Sequence, residues 1–587
     1  MHKYSKVIED VLELVSIELY GLTGVASGDR LVVTALREGS LNVYSFDGDR
    51  LVKLNRDPIN FIAIPPYGAQ RVIIGRDVAR GREQHLLFYI NIDEPGVEVR
   101  LSKEQEPMRI FGIADDGSRA VFTGATAKDI SVYLIDKGGS TSRVASLPGI
   151  GSVVRLKGDL AAGIGVFQGD PTRFQLFLVD IESGDVKIHN PPGGSATWPT
   201  FTSEGQLIYG LEGAEYSRLM VLDLETLKAE PLKLLHDDLE AYKPRAFNYI
   251  DYTPEGELIV VARREGRSKL FIDGREVETP EGILSLAFKL GDKIVVSHTS
   301  LSTPPRVIEV GVDGGWRTLI EGEKPEWLSD AIGGGGFEWV ESFDGSRVPV
   351  FVLYSGRAPK PGPAVVLVHG GPFAEDMDAW DIFASALATA GFHVIMPNYR
   401  GSTGYGEEWR VKIIGDPCGA ELEDIASTAR WALENGIASR VYIMGYSYGG
   451  YMTMCSLVKK PGLYKAGVAG ASVVDWNMMY ELSDAAFKQF IEVLFAGKRE
   501  LWGERSPINY VENMKDPLCI IHPQNDTRTP LKPVLKFMER ALEQGKSFEA
   551  HIAPDMGHTV NTVDDAIKLL LPAILFLTRM EDKGKEQ

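Results

Sequence analysis

The sequence has few cysteines, no concentration of positive charge and no long uninterrupted apolar run. Its 587 residues include three cysteines, without the close Cys and His spacing of a structural zinc site, so neither a metal nor an organic cofactor is expected. Acidic residues outnumber basic ones by 81 to 62, and no block of Lys and Arg stands out, which excludes nucleic acid as an expected partner. No apolar run reaches the roughly 18 residues of a membrane-spanning helix, so no membrane partner is expected either.

The three cysteines and the N-terminal residues indicate in which cellular compartment the protein is expected. Cys418, Cys455 and Cys519 are expected to be buried thiols, although a disulfide between two of them stays open, as in some hyperthermophile proteins. Residues 1–25 carry acidic side chains inside an apolar pattern, which a secretory signal does not tolerate. The pattern predicts an amphipathic helix docked on the folded body, and its Glu-rich polar face argues against a membrane surface. We expect a cytoplasmic protein.

The remaining chain divides into two parts with different patterns. Residues 26–327 consist of short apolar runs broken by Gly, Asp and Ser, whereas residues 328–587 alternate strands with helical stretches. In the first part a strand, an Asp-containing turn and a second strand recur every 40 to 50 residues, around Asp47, Asp93, Asp136, Asp180, Asp223, Asp273 and Asp313. Hairpins at that period are typical of β-propeller blades, so the seven repeats predict a seven-bladed propeller rather than a β-sandwich. The glycine run at 333–336 is interpreted as a linker to the second part.

One short motif in the second part predicts nucleophilic catalysis. Gly445-Tyr446-Ser447-Tyr448-Gly449 follows an apolar strand at 441–444 and precedes a helical pattern. G-x-S-x-G alone occurs by chance in a chain this rich in glycine, but the strand–turn–helix context is that of a nucleophile elbow. The motif predicts an α/β-hydrolase domain with Ser447 as the nucleophile.

The partners of this serine are expected further along the chain, in the order Ser, Asp, His. Asp526 follows a predicted strand at 518–522, and His558 lies in a loop after another short strand. Functional groups of open α/β sheets lie at the carboxyl ends of parallel strands, which favours Asp526 as the orienting acid and His558 as the base. The other candidates, which are interpreted as structural or turn residues, are His393, His522, His551 and Asp555.

An acyl-transfer enzyme also needs donors for the oxyanion of its tetrahedral intermediate. The backbone N–H of Tyr448, directly after the nucleophile, is one candidate. The strand at 364–368 is followed by His369-Gly370-Gly371-Pro372, and glycines allow this backbone to approach a substrate closely. Gly371 is therefore the predicted second donor.

The combined motifs HGGPF (369–373), NYRGSTGYGEEW (398–409), GYSYGGYM (445–452), DTRTP (526–530) and GH (557–558) resemble the prolyl oligopeptidase family of serine peptidases, and within it the archaeal acylaminoacyl peptidases. The resemblance covers essentially the whole chain. It implies release of an N-acylated amino acid from short N-acylated peptides, a propeller that restricts substrate size, and an N-terminal helix packed on the hydrolase domain. An endopeptidase of the same family, a general carboxylesterase and a catalytically inactive binding scaffold are the alternatives. A homo-oligomer, such as a dimer through exposed strand edges, is also expected.

The resemblance also implies substrate-binding residues. Arg528, in the D-x-R-x-P pattern, would hydrogen-bond a substrate carbonyl, unless it only neutralises nearby carboxylates. An apolar pocket for the residue before the scissile bond would be formed by Val473, Trp476, Phe487, Phe490 and Ile491, although such spacing also fits plain core. No counterpart of the paired glutamates that hold a free amino terminus in the family's dipeptidyl peptidases is evident.

Overall fold

The computed structural model describes residues 2–167, 170, 172–312 and 314–586. Asp313, around which the seventh hairpin was predicted, lies outside them. Across the described residues the chain forms seven four-stranded antiparallel sheets, followed by one eight-stranded mixed sheet flanked by helices. The predicted seven-bladed β-propeller and α/β-hydrolase are thus confirmed, with a short helix ahead of both. The helices are α1 (His2–Val15), α2 (Asp238–Tyr242), α3 (Leu328–Ala331), α4 (Ile382–Thr389), α5 (Glu407–Val411), α6 (Ala420–Glu434), α7 (Tyr448–Lys459), α8 (Trp476–Leu482), α9 (Ala485–Leu494), α10 (Leu531–Glu543) and α11 (Val563–Glu586).

Each blade takes its four strands from one consecutive stretch of chain. Blade 1 consists of β1 (Leu19–Val25), β2 (Leu31–Arg37), β3 (Ser40–Phe46) and β4 (Leu51–Lys53), and blade 2 of β5 (Phe61–Ile62), β6 (Arg71–Asp77), β7 (His85–Asn91) and β8 (Glu98–Arg100). Blade 3 consists of β9 (Arg109–Asp115), β10 (Ala120–Ala125), β11 (Ile130–Ile135) and β12 (Thr141–Ser146), and blade 4 of β13 (Ile150–Lys157), β14 (Leu160–Val166), β15 (Gln175–Asp180) and β16 (Val186–His189). The strands of blades 5 to 7 are β17 (Gly194–Phe201), β18 (Leu207–Gly213), β19 (Arg218–Leu222) and β20 (Ala229–Pro231); β21 (Ala246–Tyr252), β22 (Leu258–Arg264), β23 (Arg267–Ile272) and β24 (Arg275–Val277); β25 (Ile283–Leu290), β26 (Lys293–Ser300), β27 (Thr303–Gly311) and β28 (Trp316–Ile320).

The repeated Asp residues mark the hairpin between the third and fourth strands of a blade. Asp47 Oδ1 accepts hydrogen bonds from the backbone N–H groups of Asp49 and Arg50, at 3.0 and 2.8 Å. The same local bonding holds the turns that start at Asp136, Asp180 and Asp223. Asp side chains thus fix the turns locally, which explains why the period was readable in the sequence.

Two predicted features need correction. Blade 1 begins at Leu19, because only three residues separate α1 from β1, so the domain boundary placed at residue 26 falls after the first strand. The glycine run at 333–336 is not a linker but part of strand β29 (Ile332–Glu341), which pairs with the following strand. A Cβ on Gly335 would lie 2.7 Å from Leu301 Cδ1, so this glycine serves close packing rather than flexibility.

The hydrolase sheet brings the functional loops to one edge. Its order is β29-β30-β32-β31-β33-β34-β35-β36; the contacts of β30 are antiparallel, and the strands from β32 to β36 are mutually parallel. The carboxyl ends of parallel strands meet at the same edge of a sheet, where open α/β sheets bind their ligands. The strands after β29 are β30 (Arg347–Ser355), β31 (Gly362–Val368), β32 (His393–Pro397), β33 (Ala438–Tyr446), β34 (Gly467–Gly470), β35 (Leu518–Pro523) and β36 (Phe548–Ala553).

Helix α1 packs on the hydrolase domain, against α4 and α11. Val11 and Leu14 are buried in the same apolar cluster as Leu570 of α11. The buried carboxylate of Asp10 pairs with Arg357, at 2.6 Å, and with Lys6 one turn earlier, at 2.8 Å. In the part of the chain that the structure describes, no helix is both long enough and apolar enough to cross a bilayer.

Candidate active site

Ser447 occupies a sharp turn between β33 and α7. Its backbone has φ 60° and ψ −122°, a sparsely populated conformation for a residue with a side chain, which costs about 1–3 kcal/mol. Neighbouring backbone lies very close to the two glycines of this turn. A Cβ on Gly449 would lie 1.9 Å from the carbonyl oxygen of Val368, and one on Gly445 would lie 2.3 Å from the carbonyl carbon of Gly449. The two glycines of G-x-S-x-G are therefore required by packing, and the turn projects the hydroxyl at the sheet edge.

The structure brings the three predicted catalytic side chains together. His558 Nε2 lies 2.9 Å from Ser447 Oγ, and His558 Nδ1 lies 2.7 Å from Asp526 Oδ2. The hydroxyl of Tyr446 donates to the backbone carbonyl of His558, at 2.8 Å, which fixes the loop that carries the imidazole. The arrangement has the distances that nucleophile, base and orienting acid need for acyl transfer.

The surroundings of Asp526 keep it ionised. Burial alone would raise the pKa of this carboxyl group, but the adjacent His558 and hydrogen-bond donors lower it to about 2. Its Oδ1 accepts from the backbone N–H groups of Arg528 and Thr529, both at 2.9 Å, and the Thr529 hydroxyl donates to Oδ2. An anionic Asp526 holds the Nδ1–H tautomer of His558, which leaves Nε2 to accept the proton of Ser447.

The two predicted oxyanion donors flank the nucleophile. Tyr448 is the first residue of α7, where backbone N–H groups have no intrahelical acceptor. The loop after β31 passes close to the serine, since a Cβ on Gly370 would lie 3.9 Å from Ser447 Oγ. Gly371 follows with φ 118°, a conformation that favours glycine. Their role as donors stays a prediction.

Arg528 is held by an acidic side chain from the propeller. Its guanidinium donates from Nε to both carboxylate oxygens of Glu83, each at 3.0 Å, and also contacts Glu83 through a second nitrogen. Arg109 of blade 3 binds the same carboxylate, and its Nε donates to Asp484 at 2.7 Å. Arg109 also donates to Thr527 at 3.0 Å, next to Asp526, the predicted orienting acid. Two arginines and two carboxylates thus join the propeller to the catalytic loop.

The predicted apolar pocket is only partly open. Trp476 and Ile491 have no exposed surface and belong to the core beneath, where the Trp476 ring packs edge-on against Tyr451 and Phe495, each at 5.1 Å between centroids. Val473 is also buried in this cluster. Phe487 and Phe490 of α9 retain exposed surface and their ring centroids lie 6.1 Å apart, so of the five predicted residues only these two are available to form an accessible wall.

The remaining predictions concern two histidines and the three cysteines. His393 and His522 are buried and their imidazole Nε2 atoms lie within hydrogen-bond distance of the backbone carbonyls of Pro359 and Thr529, as expected for structural residues. Cys418 and Cys455 form a disulfide, so the expectation of plain thiols holds only for Cys519, which is buried and unpaired.

Comparison with known proteins identifies both parts of the chain. Residues 32–308 match the family described as "Acylamino-acid-releasing enzyme-like, N-terminal domain", and residues 380–583 match the family described as "Prolyl oligopeptidase family". The C-terminal part of the chain, residues 380–583, is thus similar to the prolyl oligopeptidase family. The resemblance inferred from the motifs is confirmed.

Curated members of the family share part of the chain. The dipeptidyl aminopeptidase BIII of Pseudoxanthomonas mexicana is 31% identical over 214 residues, which cover 35% of this chain and 31% of that protein. The human acylamino-acid-releasing enzyme is 28% identical over 226 residues, covering 37% of this chain and 31% of that protein. The matched segment thus spans about a third of the length of these relatives.

Solved structures share the whole architecture. A puromycin-hydrolyzing peptidase of Mycobacterium tuberculosis superposes with a TM-score of 0.80 at 17% identity, covering 97% of this chain and 96% of that one. The acylaminoacyl peptidase of Pyrococcus horikoshii gives a TM-score of 0.69 at 16% identity, covering 97% of each chain. At these identities the likeness concerns the fold.

Sequence reasoning missed the contribution of the propeller to the site. Glu83 lies between β6 and β7, 445 residues before Arg528, and nothing in its local pattern sets it apart from other loop carboxylates. It also missed Glu421, whose partner Tyr448 lies 27 residues further along the chain, and Thr529, whose hydroxyl donates to the carboxylate of Asp526 three residues earlier. The one available signal for Thr529 was its position in the DTRTP motif.

Proposed function

We propose that this chain is a serine peptidase that releases an N-acylated amino acid from the N-terminus of short peptides, through an acyl-enzyme on Ser447. The observation that carries the catalytic part is the hydrogen-bonded series Ser447–His558–Asp526 at the carboxyl edge of the hydrolase sheet. The match of residues 380–583 to the prolyl oligopeptidase family supports peptides as the substrate class.

In the proposed mechanism, Ser447 Oγ attacks the scissile carbonyl carbon while His558 Nε2 takes the hydroxyl proton. The carbonyl oxygen becomes an oxyanion held by the backbone N–H groups of Tyr448 and Gly371. The C–N bond then breaks, and the leaving amine takes the proton from His558. Water, deprotonated by His558, attacks the acyl-enzyme; the bond from the acyl carbon to Ser447 Oγ breaks, His558 returns the proton to Oγ, and the N-acylated amino acid is released. Asp526 stabilises the imidazolium that forms in each half-reaction.

The charge balance beside the site supports a blocked amino terminus. A free peptide amine is positively charged and needs an unpaired carboxylate to compensate the water that it loses. Glu83 is the carboxylate that the propeller brings closest to Arg528, and two guanidinium groups already bind it. An acyl group carries no charge and offers a carbonyl oxygen, for which the N–H groups of Arg528 are suitable donors.

Contacts of the propeller with the catalytic loops support selection by size. The loop at 78–84 reaches the hydrolase domain, where Asn525 Nδ2 donates to the carbonyl oxygen of Arg80 at 2.8 Å. A large folded substrate would have to break these contacts to reach Ser447, whereas a short peptide needs a smaller opening.

The test is cleavage of one short peptide in three forms: N-acetylated, free at its amino end, and embedded in a longer blocked sequence. Products are identified by mass spectrometry, and Ser447→Ala is the control for each form. We expect release of the acetylated first residue, with the other two forms cleaved at least tenfold more slowly.

Other outcomes would change the proposal in defined ways. Efficient internal cleavage of the long form would make the protein an endopeptidase of the same family. Preference for the free amino end would contradict the role given to the paired Glu83. Rapid hydrolysis of simple esters without cleavage of any peptide form would make it a carboxylesterase.

A further inference from the structure

Glu421 is a buried carboxylate that the mechanism above does not use. It lies in the first turn of α6 and has no exposed surface. Its Oε2 accepts from the backbone N–H of Gly419 at 3.0 Å, and its Oε1 accepts from the backbone N–H of Cys418. Three donors therefore converge on this carboxylate, because the hydroxyl of Tyr448 also donates to Oε1, at 3.0 Å. Tyr448 directly follows the nucleophile.

The bond from Tyr448 to Glu421 bears on the backbone of the active site. Tyr448 is almost fully buried, and its backbone N–H is the proposed donor to the oxyanion. A side chain fixed at both ends, by its own backbone and by Glu421, restricts rotation of the peptide unit that carries this N–H. An oxyanion donor works only when it already points at the developing charge, so small displacements reduce the rate.

The same side chain lies next to the second oxyanion loop. The Tyr448 ring stacks on that of Tyr399, with 6.3 Å between centroids, and the Tyr399 ring stacks on that of His369, at 4.4 Å. The Tyr399 hydroxyl donates to the backbone carbonyl of His369, at 3.0 Å, two residues before Gly371. Rings anchored at Glu421 thus run beside both predicted oxyanion donors.

The loop that carries two of the donors to Glu421 is itself fixed. Cys418 is bonded to Cys455 of α7, two turns after the nucleophile. Arg505 donates to the Cys418 carbonyl oxygen and pairs with Asp416, each at 3.0 Å. Arg505 thus binds residues next to Glu421, and burial raises the pKa of Glu421 to about 7. Burying a carboxylate costs desolvation free energy, so the presence of Glu421 at this position indicates a role beyond packing.

We propose that Glu421 is a positioning residue for acyl transfer, which holds the Tyr448 hydroxyl and thereby aims the Tyr448 backbone N–H at the oxyanion. The inference rests on the proposed function for its acyl-transfer step, but not on the preference for acylated peptides. It can therefore be tested with p-nitrophenyl butyrate, which reports on Ser447 whatever peptide the protein prefers.

The experiment compares Glu421→Met, Tyr448→Phe and the double variant by steady-state kinetics. Met keeps the length of the side chain but removes both acceptor oxygens, and Phe removes the hydroxyl alone. Loss of a whole oxyanion donor costs roughly 10²–10³ in kcat, so a displaced donor is expected to cost about tenfold, with KM within about twofold. Because both changes break one link, the double variant is expected to be no slower than the slower single variant.

A transition-state analogue separates positioning from mere stability. Phenylboronic acid forms a tetrahedral adduct with Ser447 that presents an oxygen to the oxyanion hole, and its inhibition constant is expected to weaken by the same factor as kcat. Tyr451→Phe is the matched control, since it removes a buried hydroxyl of the same helix that donates to the backbone carbonyl oxygen of Arg505 instead, at 2.7 Å. That variant is expected to keep kcat within about twofold.

Three results would overturn the proposal. In the first, the losses of kcat in the two single variants multiply in the double variant. In the second, the boronate affinity stays unchanged where kcat falls, and in the third Tyr451→Phe loses as much kcat as Tyr448→Phe. If Glu421→Met does not fold, Tyr448→Phe alone decides through its boronate affinity. A preference for peptides other than acylated ones would leave these ester measurements unaffected, so failure of the proposed substrate is distinguishable from failure of the positioning role.

Discussion

Gly81 of the propeller lies directly against Gly557, the residue that precedes the base His558. A Cβ on Gly557 would lie 1.8 Å from the carbonyl oxygen of Gly81, and one on Gly81 would lie 2.2 Å from the backbone nitrogen of Gly557. Two backbone segments from different domains are thus in contact one residue from the imidazole. The position of the loop that carries His558 therefore depends on the position of the propeller.

Replacement of Gly557 by Ala should therefore lower activity without unfolding the protein. The methyl group cannot fit beside Gly81, so either the loop of His558 or the propeller loop must move. A displacement of about 1 Å at a catalytic group costs on the order of 10²-fold in rate, measured as kcat on any acyl substrate. Gly336→Ala is the matched control, because a Cβ there meets nothing within 4 Å. Equal activity of the two variants would contradict this role for the contact.

The pair Glu83–Arg528 predicts a second effect, on stability. Glu83→Ala would leave Arg528 and Arg109 close together with one fewer carboxylate between them, and breaking a buried ion pair costs about 3–5 kcal/mol. The melting temperature should fall clearly, and it should fall little in Arg80→Ala. The Arg80–Asp555 pair also joins the two domains, but its side chains are 80% and 67% exposed. A larger loss in the exposed pair would contradict the assignment.

The fold could be predicted because its determinants are local. Asp47 and its counterparts make turns with their own neighbours, and Gly449 is required by the turn that carries Ser447. The contacts that complete the site are not local: Glu83, Gly81 and Glu421 acquire their roles from partners distant in the chain. Trp476 shows the opposite error, since aromatic spacing on a helix does not tell a pocket wall from the core beneath it.

The low pKa of Asp526 predicts how stability depends on pH. Its folded pKa of about 2 lies below the ordinary value of 3.8, so the ionised group stabilises the fold above pH 3.8, and this contribution is lost as pH falls towards 2. The shift corresponds to about 2 kcal/mol. The difference in melting temperature between the protein and Asp526→Asn should therefore shrink from pH 5 to pH 2. A difference in melting temperature that grows as the pH falls would contradict this prediction.

The accessible aromatic wall predicts substrate preference. Phe490→Ala removes surface that an apolar side chain before the scissile bond would bury, so kcat/KM for acylated Phe or Leu should fall about tenfold relative to acylated Ala. Leu482→Ala on the neighbouring helix α8 is the control, because that side chain is exposed. If Phe490→Ala changes kcat/KM equally for all three residues, the pocket lies elsewhere.

The central claim is that Ser447 is the nucleophile of an acyl-transfer reaction. It is tested most directly by treating the protein and Ser447→Ala with a fluorophosphonate probe, mapping the labelled peptide and measuring kcat on an acetylated peptide. The account predicts one label, on Ser447, no label in the variant, and a loss of roughly 10⁴–10⁶ in kcat. A label on another residue, or a variant that retains most of its activity, would contradict it.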